Sequence, residues 1–158
     1  MTSRLTHTII PIAAAAGLLL AQSPAWAGCT GQSVSWGSSY YDGKDPAATG
    51  CNVNASKIAT RPVKNRYTGQ QVATVEVYYS WSCQSNWIRV SNNPYGGETV
   101  KNIFSDLGGG NSEVDCGYAS SYSMMVYAPG NTGIDVQVYL KAPDAGDWGW
   151  IGEAEFSL

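Results

Sequence analysis

The chain has 158 residues, a formal net charge of −3 at pH 7 and a single histidine, His7. This length is that of one ordinary domain. Nine basic residues stand against twelve acidic ones and form no cluster, which argues against nucleic acid as a partner, because phosphate contacts need concentrated positive charge.

Residues 1–27 are typical of a secretory signal peptide. Arg4 supplies a positive charge, residues 9–21 are largely apolar, and Ala25 and Ala27 place small side chains before a predicted cleavage site after Ala27. The apolar stretch is shorter than the roughly 20 residues that a helix needs to cross a bilayer, so we expect no membrane span. Residues 28–158 would then form a single secreted, extracellular domain.

A second interpretation of the N-terminus starts from Trp26-Ala27-Gly28-Cys29, which is similar to the lipobox of bacterial lipoproteins. In those proteins the cysteine thiol carries a diacylglyceryl group. Trp26 stands where the motif prefers Leu, so the match is incomplete. A lipid anchor at Cys29 is therefore kept as the alternative to a freely secreted protein.

The four cysteines all follow the predicted cleavage site: Cys29, Cys51, Cys83 and Cys116. An even number of cysteines in an exported domain predicts two disulfides. The spacings contain no Cys-x-x-Cys motif, and His7 leaves with the signal peptide, so the sequence predicts no metal site. Nor does it indicate a cofactor.

Strand patterns dominate residues 28–158. Apolar and polar residues alternate over residues 73–79, 134–141 and 153–158, which places one side of each segment on a core. Further strands are predicted over residues 87–90, 99–104 and 121–127, which are rich in β-branched or aromatic residues. Turns are predicted over residues 93–97, 108–111 and 129–133 because glycine, proline and asparagine cluster there.

This pattern predicts an all-β fold, mainly an antiparallel sandwich or a small barrel. Residues 28–41 are rich in Gly and Ser without a clear period, and we expect them to form a loop tied down by Cys29. At most a short helical turn is expected near residues 46–57.

Several segments together resemble the YjfA-like family of small secreted bacterial proteins. They are Tyr-Asp-Gly-Lys-Asp-Pro at 41–46, Thr-Gly-Cys at 49–51, Val-Glu-Val-Tyr-Tyr-Ser at 75–80, Cys83, and Trp-Ile-Arg-Val at 87–90. The resemblance implies export and a bridge from Cys51 to Cys83, which leaves Cys29 for Cys116. It implies no activity, because that family is of unknown function. The chain departs from the family at Tyr78, where Arg is common, and at Tyr41, where many members have another Cys.

The catalytic groups of common hydrolases are largely missing. Without a histidine after export, a Ser-His-Asp or Cys-His arrangement is excluded. Glu153 and Glu155 stand two apart on one strand and keep open a carboxylate-based hydrolase. Asp42 and Asp45 have the oxygens that calcium prefers, yet capping of turns also explains them. We therefore expect no enzymatic activity.

Aromatic side chains are the main functional signal. Trp148 and Trp150 would point to the same side of a strand, with Gly149 between them, and form a flat shelf. Trp81 and the pair Tyr40 and Tyr41 are further candidates for binding. Such rings serve equally at the edge of a core and as stacking surfaces for sugars or proteins.

These observations favour a secreted, non-catalytic binding or structural protein that contacts a cell-envelope glycan or another protein. One alternative is a secreted enzyme inhibitor that acts through a disulfide-tethered loop, such as residues 80–86 or 93–98. The other is the carboxylate-based secreted hydrolase.

Overall fold

The computed structural model describes residues 29–143 and 149–158, so the predicted signal peptide and lipobox lie almost wholly outside the described residues. The described residues form ten β-strands and no helix, which confirms the predicted all-β fold. The strands are β1 (Gln32–Trp36), β2 (Ala55–Asn65), β3 (Gln71–Ser80), β4 (Ser85–Ser91), β5 (Glu98–Ser105), β6 (Gly110–Cys116), β7 (Ser121–Tyr122), β8 (Val126–Tyr127), β9 (Ile134–Lys141) and β10 (Trp150–Ser157).

All ten strands belong to one antiparallel sheet, curled into a half-barrel. The order is β1-β6-β5-β9-β10-β2-β3-β4-β7, and β8 also pairs with β4. Because β6 and β7 lie near opposite ends of this order, residues 117–120 join the two ends of the sheet directly. The curl brings β5 close to β4 and β8.

The core lies on the concave side of the sheet. Strands β3 and β9 show why, since Val75 and Val77 on the former and Val136 and Val138 on the latter are fully buried at alternate positions. Burial of each such side chain stabilises the fold by about 1.5–3 kcal/mol. The alternation predicted for residues 73–79 and 134–141 is thus confirmed.

The prediction of a loop over residues 28–41 was wrong, because β1 lies inside that range. All five residues of β1 are exposed, so the strand has no apolar period that a sequence pattern would reveal. Pairing with β6 holds it, and the Trp36 ring lies 5.8 Å from that of Phe104. The backbone of Gly110 lies so close to the Trp36 indole that a side chain there would overlap it.

Strand β2 follows the segment where a helical turn was expected. Thr49 donates its backbone N–H to the Asp45 carbonyl at 3.1 Å, and this bond closes a single turn. Strand β2 then begins at Ala55. Within β2 only Ala59 and Val63 are buried. Arg61 lies between them on the same face but is exposed, and its guanidinium carbon lies 5.6 Å from the centroid of the Phe156 ring. Burial every fourth residue hides the strand from a period-of-two search.

Two further segments differ in detail from their predictions. The strand predicted over 121–127 is split into β7 and β8, because Ser123 turns inward and accepts the Ile88 N–H at 3.1 Å. The turn predicted over 108–111 ends early, since β6 begins at Gly110.

The disulfides join Cys29 to Cys116 and Cys51 to Cys83, as predicted. The second bridge packs with Trp87 and Met125 in a small buried cluster beside the main core. For the described residues, no helix is both long and apolar enough to cross a membrane.

Candidate functional site

Trp81 stands at the tip of the turn between β3 and β4, with 67% of its surface exposed. The turn is held from below by the Cys51–Cys83 bridge and by the Ser80 hydroxyl, which accepts the Cys83 N–H at 3.3 Å. The indole packs edge-on against the Tyr79 ring, with centroids 4.9 Å apart and an interplanar angle of 89°. An exposed ring is therefore fixed in orientation.

A groove of about 390 Å³ opens beside this ring, and we call it the Trp81 groove. Its lining comes from four separate parts of the chain: Ile58, Tyr79, Trp81, Asn86, Gly130, Asn131, Thr132, Ile134 and Leu158. The Tyr79 hydroxyl accepts the Gly130 N–H at 3.1 Å and so ties the turn over 129–133 to the base of the groove. The predicted turn thereby forms one wall.

The chemistry of the Trp81 groove is a flat aromatic face beside amide and hydroxyl groups. Asn131 and Thr132 lie in the turn opposite Trp81, while Ile58 and Leu158 add an apolar floor. Such a combination suits a ligand with an apolar face and a polar rim, which is the character of a pyranose ring.

The pair Tyr40 and Tyr41 is divided between surface and core. Tyr40 is exposed, and the Lys44 Nζ lies 5.6 Å from its ring centroid. Tyr41 packs against the cluster around the Cys51–Cys83 bridge and meets Tyr40 edge-on at 5.2 Å. Tyr40 is therefore an exposed ring that does not line a groove together with Trp81 or Trp150.

Trp150 is half-buried at the start of β10. Its ring is tilted by 45° against that of Tyr139, at 5.7 Å, and the Lys141 Nζ lies 5.6 Å from its centroid. Trp148 lies outside the described residues. The shelf formed by Trp148 and Trp150 therefore stays a prediction.

The sequence did not predict a second aromatic cleft, of about 250 Å³, which is lined in part by the segments 41–46, 75–80 and 87–90. The Tyr78 and Trp87 rings stack there, and Arg89 and Tyr122 complete its sides. Burial, and then the neighbouring Asp45 carboxylate that accepts its hydroxyl at 3.2 Å, raise the pKa of Tyr122. Tyr78 and Trp87 lie on predicted strands, but the pairing of those strands was not predicted.

Asp42 and Asp45 cap turns. The Asp42 carboxylate accepts the Ser39 N–H at 3.0 Å and the Tyr127 N–H at 2.8 Å, and Asp45 accepts the Ala47 N–H at 2.6 Å. Carboxylates that accept backbone N–H groups in this way are what capping of turns predicts. Across residues 29–143 and 149–158, no group of three His, Cys, Asp or Glu side chains could hold a metal ion.

Glu153 and Glu155 line one groove between β2 and β10. Two basic side chains, Arg61 and Lys64, line the same groove. The Tyr139 hydroxyl donates a hydrogen bond to Glu155. The two carboxylates are thus brought together beside two basic side chains, in an open groove that does not distinguish one of them as an acid from the other.

The chain is similar to an uncharacterised protein family. The model of a family described as a protein of unknown function, DUF2690, matches residues 39–135, a segment that contains Trp81 and the Cys51–Cys83 bridge. No curated protein and no solved structure matches the chain. The YjfA-like name itself stays a prediction, whereas the expected relation to an uncharacterised family is confirmed. Since the match covers well over half of its length, the chain belongs to the DUF2690 family.

Proposed function

We propose that this protein is exported and acts as a non-catalytic binding protein that stacks a sugar ring of a cell-envelope glycan on Trp81. The observation that carries the proposal is the fixed, two-thirds exposed indole at the mouth of the Trp81 groove. Exposed tryptophan on a rigid support is a favourable contact, because little side-chain freedom is lost when a ligand binds.

Export is supported by the two disulfides, because such bridges persist in oxidising compartments outside the cytosol. Cleavage after Ala27 would leave Cys29 near the new N-terminus. In the structure the Cys29 sulfur is bonded to that of Cys116. One sulfur cannot carry both this bond and a diacylglyceryl group, so we favour the secreted form over the lipid-anchored one.

The test is a titration of the exported protein with soluble oligosaccharides of N-acetylglucosamine, which carry the acetamido group common in envelope glycans. Trp81→Ala should abolish binding because the stacking face is lost. Tyr67→Ala is the matched control, since Tyr67 is an equally exposed aromatic residue in the turn at the other end of β3. Saturable binding that Trp81→Ala leaves intact, or no binding by the wild-type protein, would contradict the proposal.

A second candidate, an enzyme inhibitor, draws on the same turn. The loop over residues 80–86 carries an exposed Trp81 and is tethered by Cys83, as the inhibitor hypothesis requires. The other loop, over 93–98, fits less well, because Asn93 is buried and its amide donates to Thr99 at 2.9 Å. Inhibition of secreted proteases that Trp81→Ala abolishes, without glycan binding, would favour this candidate.

A further inference from the structure

Lys101 is fully buried, although it is charged, and it lies with Thr99, Ile103 and Ser105 on the inner face of β5. Its Nζ contacts the carboxylates of Glu113, at 3.4 Å, and Asp115. It also contacts the Ser121 hydroxyl at 3.1 Å and the Tyr122 carbonyl at 2.6 Å. Four oxygens therefore surround a group that has three hydrogens to donate as an ammonium.

The register of β5 and β6 brings these side chains together. Lys101 lies directly opposite Glu113, and Thr99 lies opposite Asp115. Asp115 is two residues beyond Glu113, so both carboxylates share the face of the sheet on which Lys101 lies. A lysine side chain is long enough to cross the diagonal to Asp115. The Asp115 carboxyl is thus held against the Lys101 amine by the backbone.

The surroundings of Glu113 disfavour its charged form. Burial, which outweighs the opposing attraction of Lys101, raises the pKa of Glu113 above its ordinary value. Glu113 also accepts the Met124 N–H at 3.1 Å, which fixes its carboxyl beside the amine. Because ion pairs in a buried site lose their hydration, replacing two charges by a neutral amide removes that cost.

We propose that Lys101 and Asp115 condense spontaneously to an intramolecular amide, with Glu113 as the catalytic residue. A proton first passes from the ammonium to a carboxylate, which leaves an uncharged amine and an uncharged acid. The Nζ lone pair then bonds to Cγ of Asp115, and a Cγ–Oδ bond breaks. Glu113 carries a proton from the nitrogen to the departing oxygen, so one water molecule leaves and no oxidant is required. Fixed proximity of the two groups favours this step.

The bond would cross-link neighbouring strands next to the Cys29–Cys116 bridge. Asp115 precedes Cys116, so a disulfide and an amide would leave β6 from adjacent residues. This inference is independent of the proposed glycan site, which lies on β3 and its following turn.

The experiment is the intact mass of the exported protein, which begins at Gly28 if cleavage follows Ala27, without reduction and followed by peptide mapping. We expect a mass one water molecule below that of the sequence with two disulfides, and a branched peptide that joins Lys101 to Asp115. Asp115→Asn should give the same product by loss of ammonia. Glu113→Gln should retain the unreacted mass, whereas Glu98→Gln, a control on β5, should react normally.

The wild-type protein alone can overturn the proposal. An unreacted mass, with Lys101 and Asp115 in separate linear peptides, would show that the cluster is only a buried ion pair. A loss of water that maps elsewhere, for example to a succinimide at Asp42-Gly43, would also contradict it. A correct disulfide map for Glu113→Gln checks that this variant folds, so that its lack of reaction reports on chemistry.

Discussion

Tyr78 and Trp87 are direct partners on β3 and β4, and their rings stack with centroids 5.6 Å apart and planes 10° apart. Trp87 also covers the Cys51–Cys83 bridge, and only 5% of its surface is exposed. The stack therefore connects the small cluster around the bridge to the sheet.

Replacement of Trp87 by alanine should lower the free energy of unfolding by about 3–5 kcal/mol, because a large buried ring leaves a cavity. Urea denaturation measures the loss. Tyr67→Ala, at an exposed turn, should change the free energy by no more than about 0.5 kcal/mol. A cost for Trp87→Ala as small as that of the control would mean that Trp87 is not part of the core.

Removal of the Cys51–Cys83 bridge by a double replacement with alanine should cost about 3–4 kcal/mol, because the unfolded chain regains the freedom of a closed loop. The Cys29–Cys116 bridge closes a longer loop, with a sequence separation of 87 against 32, and its removal should cost about 4–5 kcal/mol. Both losses are measured by urea denaturation. The reverse order would show that strain or residual structure outweighs loop length.

Alkaline pH should destabilise the protein through Tyr139. Burial, and then the hydrogen bond to Glu155, raise the pKa of Tyr139 to about 12. An unfolded tyrosine has a pKa of about 10, so the contribution of Tyr139 is complete below that pH and is lost as the pH rises towards 12. The free energy of unfolding of Tyr139→Phe, measured over this pH range, should fall less steeply than that of the wild-type protein. Parallel curves would contradict the assignment.

Gly110→Ala should detach β1, because the added methyl group would overlap the Trp36 indole. Hydrogen exchange of the β1 amides should become faster, while exchange in β9 stays slow. A double variant that also carries Trp36→Ala should restore part of the protection, since the overlap is then removed. Unchanged exchange in the single variant would show that Trp36 moves aside freely.

Sequence patterns located the strands that have a buried face and an exposed face. Residues 73–79 and 134–141 alternate in this way, whereas β1 is exposed throughout and β2 is buried at every fourth residue. The exposure of β1 follows from its position at the edge of the sheet, and the exposed position between Ala59 and Val63 is Arg61, whose guanidinium lies beside Phe156. A local apolar period reveals neither.

The candidate site was predictable only at its centre. Trp81 stands out in the sequence because serines flank it, but Ile58, Asn131 and Leu158 join it through the curl of the sheet. Likewise, residues 99–104 were predicted as a strand, yet the position of Lys101 opposite Glu113 depends on the register of β5 with β6. Contacts between distant segments therefore account for what the sequence did not reveal.

The short link over residues 117–120 separates a part of the chain that contains cross-links from a part that contains none. Both disulfides, and the proposed amide, lie entirely within residues 29–116. The described residues after the link, including β9 between β5 and β10, are held by non-covalent contacts: strand pairing, packing, and hydrogen bonds such as those from Lys101 to Ser121 and Tyr122. A single proteolytic cut in the link would therefore leave two fragments that no disulfide joins, and denaturant would separate them. The C-terminal fragment carries β9, and without β9 the strand β5 loses its partner on that side.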